Sequence, residues 1–183
     1  LDIRMICPLH GPILRDNLGH YLEKYQIWST YQPEQKGVLI AYASIHGNTA
    51  KAAQLLAEYL GELGEEHVEL MDLSREDLSL AVRKAFYYDR MVVAAATYDG
   101  GVFPCMEEFL QHIRSKNYQK RTVGILENGS WAPMAGKVMR GLLEGMKDVR
   151  ILEPVVTVKS AVKEENRAAM KELAQSCVDS AAR

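Results

Sequence analysis

Apolar positions along this chain fall into two alternating patterns. Short, almost uninterrupted apolar runs occur at Gly37–Ala43, Met91–Ala96 and Thr122–Glu127. A strand with one wet face alternates polar and apolar residues, so continuous runs of this length predict strands buried on both faces. Longer segments between them carry apolar residues every three or four positions. Ala50–Leu60 puts Ala52, Leu55, Leu56 and Leu60 on one helical face, with Gly61 and Gly64 as terminators. The same spacing predicts helices over 78–88, 103–115, 133–146 and 164–182, with shorter strands at 68–71 and 155–158. Strands alternating with helices predict an α/β domain: a parallel sheet covered by helices on both faces.

Residues 1–32 follow a different pattern. A short apolar run, Ile3–Ile6, reads as a strand and leads into Cys7-Pro8-Leu9-His10-Gly11-Pro12. Asn17–Tyr31 reads as a helix whose Leu18, Tyr21, Leu22, Tyr25 and Trp28 form a packing stripe. The polar stretch 33–36 reads as a linker, and 37–183 as the main domain. Entry directly into a strand from Leu1, with no Met, fits a piece of a longer protein.

Composition narrows the function classes. A formal net charge of −2 argues against a nucleic-acid surface. No apolar run has the length of a membrane span, and no signal peptide is apparent. Three well-separated cysteines, Cys7, Cys105 and Cys177, give no disulfide framework and point to a reducing, cytoplasmic setting.

In a parallel α/β sheet, ligands sit beyond the C-terminal strand ends. Three loops there carry the candidate chemistry. Ser44, Ile45, His46, Gly47, Asn48 and Thr49 link the first strand to the first helix. Backbone amides at that helix start, with hydroxyl and amide donors beside them, suit a phosphate; an ordinary capped turn is the plainer reading. Thr97, Tyr98, Asp99, Gly100 and Gly101 follow the third strand. Asn128, Gly129, Ser130, Trp131 and Ala132 follow the fourth, where Trp131 suits stacking on a flat ring or plugging the strand ends. Competing phosphate motifs are missing. Gly136-Lys137 lacks the rest of a P-loop, no GxGxxG occurs, and Ala43-Ser44 offers no phosphoacceptor acid.

The main domain resembles flavodoxin. Tyr98-Asp99-Gly100-Gly101-Val102-Phe103-Pro104 and Glu127-Asn128-Gly129-Ser130-Trp131-Ala132-Pro133 are similar to loops of flavodiiron proteins (A-type flavoproteins). Leu9-His10-Gly11-Pro12 resembles the end of that family's metallo-β-lactamase-like domain. The chain departs from the pattern at His46, often aromatic in the family, and at Ala96, usually Pro in flavodoxins.

The resemblance implies a flavodoxin-like doubly wound five-stranded parallel sheet, order 2-1-3-4-5, with an N-terminal strand–helix extension. It implies FMN, with phosphate in Ser44–Thr49 and the ring between the Thr97–Gly101 and Asn128–Ala132 loops. It makes residues 1–32 the tail of the metal-binding domain, with His10 an iron ligand only in a longer parent chain holding the diiron centre. It implies a redox partner protein such as rubredoxin or a reductase, a homodimeric parent, and neither nucleic-acid nor membrane partners. Two other readings stay open at this point: a stand-alone flavodoxin or FMN-dependent quinone reductase, and a flavin-less assembly domain.

Overall fold

A computed structural model describes residues 2–181. The elements are α1 (Leu18–Ser29), β1 (Gln35–Ala43), α2 (Asn48–Glu62), β2 (Val68–Asp72), α3 (Leu78–Tyr87), β3 (Tyr88–Tyr98), β4 (Gly101–Val102), α4 (Pro104–Ser115), β5 (Arg121–Asn128), α5 (Ala135–Glu144), β6 (Val149–Ile151), β7 (Val156–Val158) and α6 (Glu164–Ser180). The terminal helix expected to reach Ala182 is described to Ser180, and Ala182 lies outside the described residues.

The sheet runs β2-β1-β3-β5 and then divides. β6 pairs with Arg121–Val123 and β7 with Leu126–Asn128, both parallel. These two pieces occupy the place of the single fifth strand that the order 2-1-3-4-5 requires. Between them stands Pro154, which has no N–H to donate to a ladder. α2 and α6 cover one face with Leu56, Leu60, Met170 and Leu173 against Val38, Ile40 and Val92. α3, α4 and α5 cover the other, with Phe109, Ile113 and Met139 packed on Leu39, Met91 and Ile125. Because the sheet is apolar on both sides, neither helical layer is dispensable.

Helix ends shift by one or two residues, with Tyr88 opening β3 rather than closing a helix, and two other departures are larger. Gln35 and Lys36, expected in a linker, belong to β1, where Gln35 pairs with Tyr88 across an irregular register before Val38. Backbone pairing at a strand end needs no apolar side chain, so polarity misplaces it. The chain between Tyr98 and Val102, expected as open loop, is a tight antiparallel hairpin pairing Thr97 with Val102 and Tyr98 with Gly101. Its turn is Asp99-Gly100, both at positive φ (47° and 72°), the Asp-Gly sequence that two-residue hairpin turns favour.

The N-terminal segment departs most from expectation. Its strand reduces to one bridge between Ile6 and Leu14. No residue of α1 is buried, and Tyr25 and Trp28 are 71% and 59% exposed, so the aromatic stripe does not fasten this segment to the domain. Polar contacts do that instead. Glu34 accepts from Trp28 Nε1 and pairs with Lys24. Burial raises the Glu34 pKa, but these two partners outweigh it and hold the carboxyl below the ordinary glutamate range. The buried Arg121 guanidinium donates to the carbonyls of Tyr31 (2.7 Å), Phe86 (2.8 Å) and Tyr88 (2.9 Å), tying the segment's end to β3 and β5.

Candidate functional site

The C-terminal ends of β1, β3, β5 and β7 open onto a cleft of about 250 Å³. One wall is Ser44, Ile45, His46, Asn48 and Thr49; a second is Ala96 and Thr97; the third is Asn128, Gly129, Ser130 and Ser160. All three loops singled out in the sequence therefore reach one cleft. Gly47 caps α2 next to it, while Tyr98, Asp99, Gly100, Trp131 and Ala132 stand outside the lining.

The first wall has the chemistry to seat an anion. Gly47 is the N-cap of α2 at φ 84°, a left-handed conformation that glycine takes without a Cβ clash. It provides no side-chain acceptor, and the first bond of the helix is Lys51 N–H to the Gly47 carbonyl at 3.0 Å. The amides of Asn48, Thr49 and Ala50 therefore have no acceptor among the described residues. Three free amides at the positive end of a 15-residue helix attract negative charge. Ser44 Oγ accepts from Gly47 N at 3.1 Å and shapes the loop, and its own proton stays available. Thr49 is only 2% exposed yet lines the cleft, so its hydroxyl faces a small enclosed space.

The lining holds no Lys, Arg, Asp or Glu. Lys51 and Lys137, each early in its helix, do not line it. An anion here would be met by hydrogen bonds and the helix dipole.

The second and third walls are tied to α5. Thr97 Oγ1 accepts from the amides of Met134 (2.9 Å) and Ala135 (3.2 Å). Glu127 accepts from the Gly136 amide (2.7 Å) and the Thr157 hydroxyl (2.8 Å). Unlike α2, α5 has its first amides filled by the protein's own oxygens. Asn128 turns to the loop after β7, bonding Ser160 in both directions. Ser160 is the lining residue that the sequence reading missed. A lone serine after a strand carries no motif, and only the sheet edge it lies on marks it.

Trp131 is 96% exposed, so it plugs nothing. Tyr98 is 45% exposed and meets Phe103 edge-on at 5.7 Å. Two large aromatics left in solvent beside a polar cleft are surfaces free to stack. His10 is exposed and does not line the cleft. Among the described residues no three His, Cys, Asp or Glu side chains come together to hold a metal.

A family model for the flavodoxin domain matches residues 39–148. The chain belongs to the flavodoxin family. It is also homologous to flavodiiron proteins. It is 28% identical to a type A flavoprotein of Rhodobacter capsulatus over 95% of this chain and 42% of that protein. It is 30% identical to a nitric oxide reductase of Moorella thermoacetica over 87% of this chain and 39% of that one. The rubredoxin:oxygen oxidoreductase of Desulfovibrio gigas superposes with a TM-score of 0.89 at 26% identity, over 98% of this chain and 44% of its own. The chain thus spans under half the length of these relatives. An archaeal flavodoxin shares the fold at a TM-score of 0.70 but covers 81% of this chain. The flavodoxin-like fold and the flavoprotein relatives imply a flavin cofactor.

Proposed function

We propose that this chain is the FMN-binding electron-transfer part of a flavodiiron-type oxidoreductase. The observation that carries the reading is the contrast at the cleft: one uncapped helix start, α2, in a hydroxyl-lined, cation-free wall. The α5 amides of Met134, Ala135 and Gly136 are already occupied, which favours one phosphate group over a pyrophosphate, and so FMN over FAD. Asn48, Thr49 and Ala50 amides would hold the phosphate, Ser44 and Thr49 hydroxyls would add donors, and Trp131 and Tyr98 would cover the ring. Bound FMN supplies one- and two-electron redox chemistry. No side chain need act as acid or base for that transfer. A phosphate met without countercharge keeps its negative field and lowers the flavin potential.

The match to flavodiiron relatives extends across residues 1–32, whereas the flavodoxin match does not span the whole chain, which favours the flavodiiron reading over a stand-alone carrier. On this reading residues 1–32 are the tail of a metallo-β-lactamase-like domain, and His10 is an iron ligand only in a longer, homodimeric parent with the diiron centre. Electrons pass from a protein such as rubredoxin or a reductase through this chain to oxygen or nitric oxide reduction at that centre. No described helix is long and apolar enough to cross a membrane, and the described cysteines are unpaired, which supports a cytoplasmic setting.

The test is an absorption spectrum of the purified chain with acid release of its chromophore, chromatography and iron analysis. We expect one FMN per chain and no stoichiometric iron. Release of FAD, or a colourless protein that binds no added flavin, would refute the proposal.

A further inference from the structure

The third wall of the cleft is held by a clasp that no loop motif announces. Asn128 Nδ2 donates to the Ser160 carbonyl at 2.8 Å, and the Ser160 amide donates back to Asn128 Oδ1 at 3.1 Å. One side-chain amide thus satisfies both backbone groups of a single residue on another loop. Asn128 is only 7% exposed but Ser160 is exposed, so both bonds are partly buried. Ser160 sits at φ 67°, a left-handed conformation a serine adopts at a cost, and it is the paired amide that holds it there. Two further bonds run alongside: Gly129 N to the Val158 carbonyl (3.0 Å) and Ser130 Oγ to Ser160 Oγ (3.0 Å). The Ser160 loop is anchored in turn, since Asn166 donates to the Thr157 carbonyl and accepts from the Lys163 amide.

Each polar end of Asn128 makes one bond to Ser160. Its side chain lines the cleft, and the loop that it anchors continues into exposed Trp131. We propose that Asn128 and Ser160 are positioning residues that lock the Asn128–Ala132 loop, and with it Trp131, in the orientation that receives the ring end of a flavin. This rests on the flavin reading above. The clasp acts at the ring wall and not at the α2 wall, so its loss should weaken ring binding while leaving the phosphate's contribution alone.

The experiment titrates apoprotein with FMN and with riboflavin and records flavin fluorescence at saturation. Asn128→Ala removes both bonds. It should weaken both ligands by about tenfold, the scale of one to two hydrogen bonds. The FMN-to-riboflavin affinity ratio should stay as in wild type, and fluorescence of the saturated complex should rise as Trp131 loses its fixed place. Ser160→Ala keeps the backbone groups that form the clasp and should change either affinity by no more than about threefold. If Asn128→Ala does not fold, Asn128→Leu, of similar size but with neither donor nor acceptor, gives the same readouts with the same expectation. A folded Asn128 variant with wild-type affinities and fluorescence would overturn the clasp, as would a fall in its FMN-to-riboflavin ratio. Wild-type protein that binds neither flavin would instead refute the flavin reading itself.

Discussion

Two helices begin at the same edge of the sheet, and they meet opposite fates. α2 starts at Gly47 with no side-chain cap and leaves its first amides open. α5 starts behind Thr97 and Glu127, whose oxygens take the amides of Met134, Ala135 and Gly136. Packing enforces the second arrangement: a Cβ at Gly136 would lie 2.9 Å from the Glu127 carboxyl carbon, so only glycine lets that carboxylate reach the helix. Both helix starts offer the same dipole. The protein fills one with its own oxygens and leaves the other open. A filled helix start contributes stability; on the proposed reading, the open one is kept at the expense of stability because phosphate binding needs it.

That difference predicts where substitutions act. The largest effect should come from Glu127→Ala, which strands the Gly136 amide and the Thr157 hydroxyl in a buried place. A loss of about 2–4 kcal/mol in urea unfolding is expected, the scale for breaking a buried charge-assisted network. A loss under about 0.5 kcal/mol would mean that α5 does not need its plug.

Trp131→Ala should show the reverse profile. Flavin affinity should fall by about 1–3 kcal/mol, the scale of a lost aromatic contact. Unfolding free energy should barely move, because the side chain is 96% exposed. Loss of stability with unchanged affinity would contradict the assignment.

Thr97→Val keeps the shape and removes the oxygen that caps α5, and should cost about 1 kcal/mol of stability. Thr49→Val, the matched change at the open helix start, should leave stability nearly constant and weaken FMN more than riboflavin. Equal losses for the two flavins would place Thr49 away from the phosphate.

The smallest effect concerns the N-terminal segment, away from both helix starts. The Glu34 carboxyl is held below its ordinary range, so its contribution is full above the ordinary glutamate pKa and fades as pH falls through the depressed value. Acid should therefore loosen α1, read as a change in Trp28 fluorescence, before the sheet unfolds. Glu34→Gln should remove that early step. An early step that persists in the variant would assign it to another group.

Periodicity made most of this molecule legible. Continuous apolar runs located β1, β3 and β5, and helical spacing located the helices, because a sheet covered on both faces leaves no freedom in where apolar residues go. The three loops followed from the strand ends. What escaped has physical causes. β4 is two residues long, although Asp99-Gly100 signalled its turn. The fifth strand breaks where Pro154 cannot donate. The Tyr21–Tyr25–Trp28 stripe showed which residues share a helix face, but spacing says nothing of what covers that face, and here it stands exposed. Ser160 was invisible because its role lies in its backbone and left-handed φ, not in its side-chain type. The plugging of α5 was also hidden, since it depends on which strand ends lie within reach of Gly136.

The central claim is that the open start of α2 seats the phosphate and the filled start of α5 cannot. A crystal structure of the chain with its bound flavin tests it most directly. The account predicts a single phosphorus within hydrogen-bonding reach of the Asn48, Thr49 and Ala50 amides, with Glu127 still bonded to Gly136. A phosphate seated at Met134–Gly136, or a flavin bound with its phosphate away from α2, would contradict it.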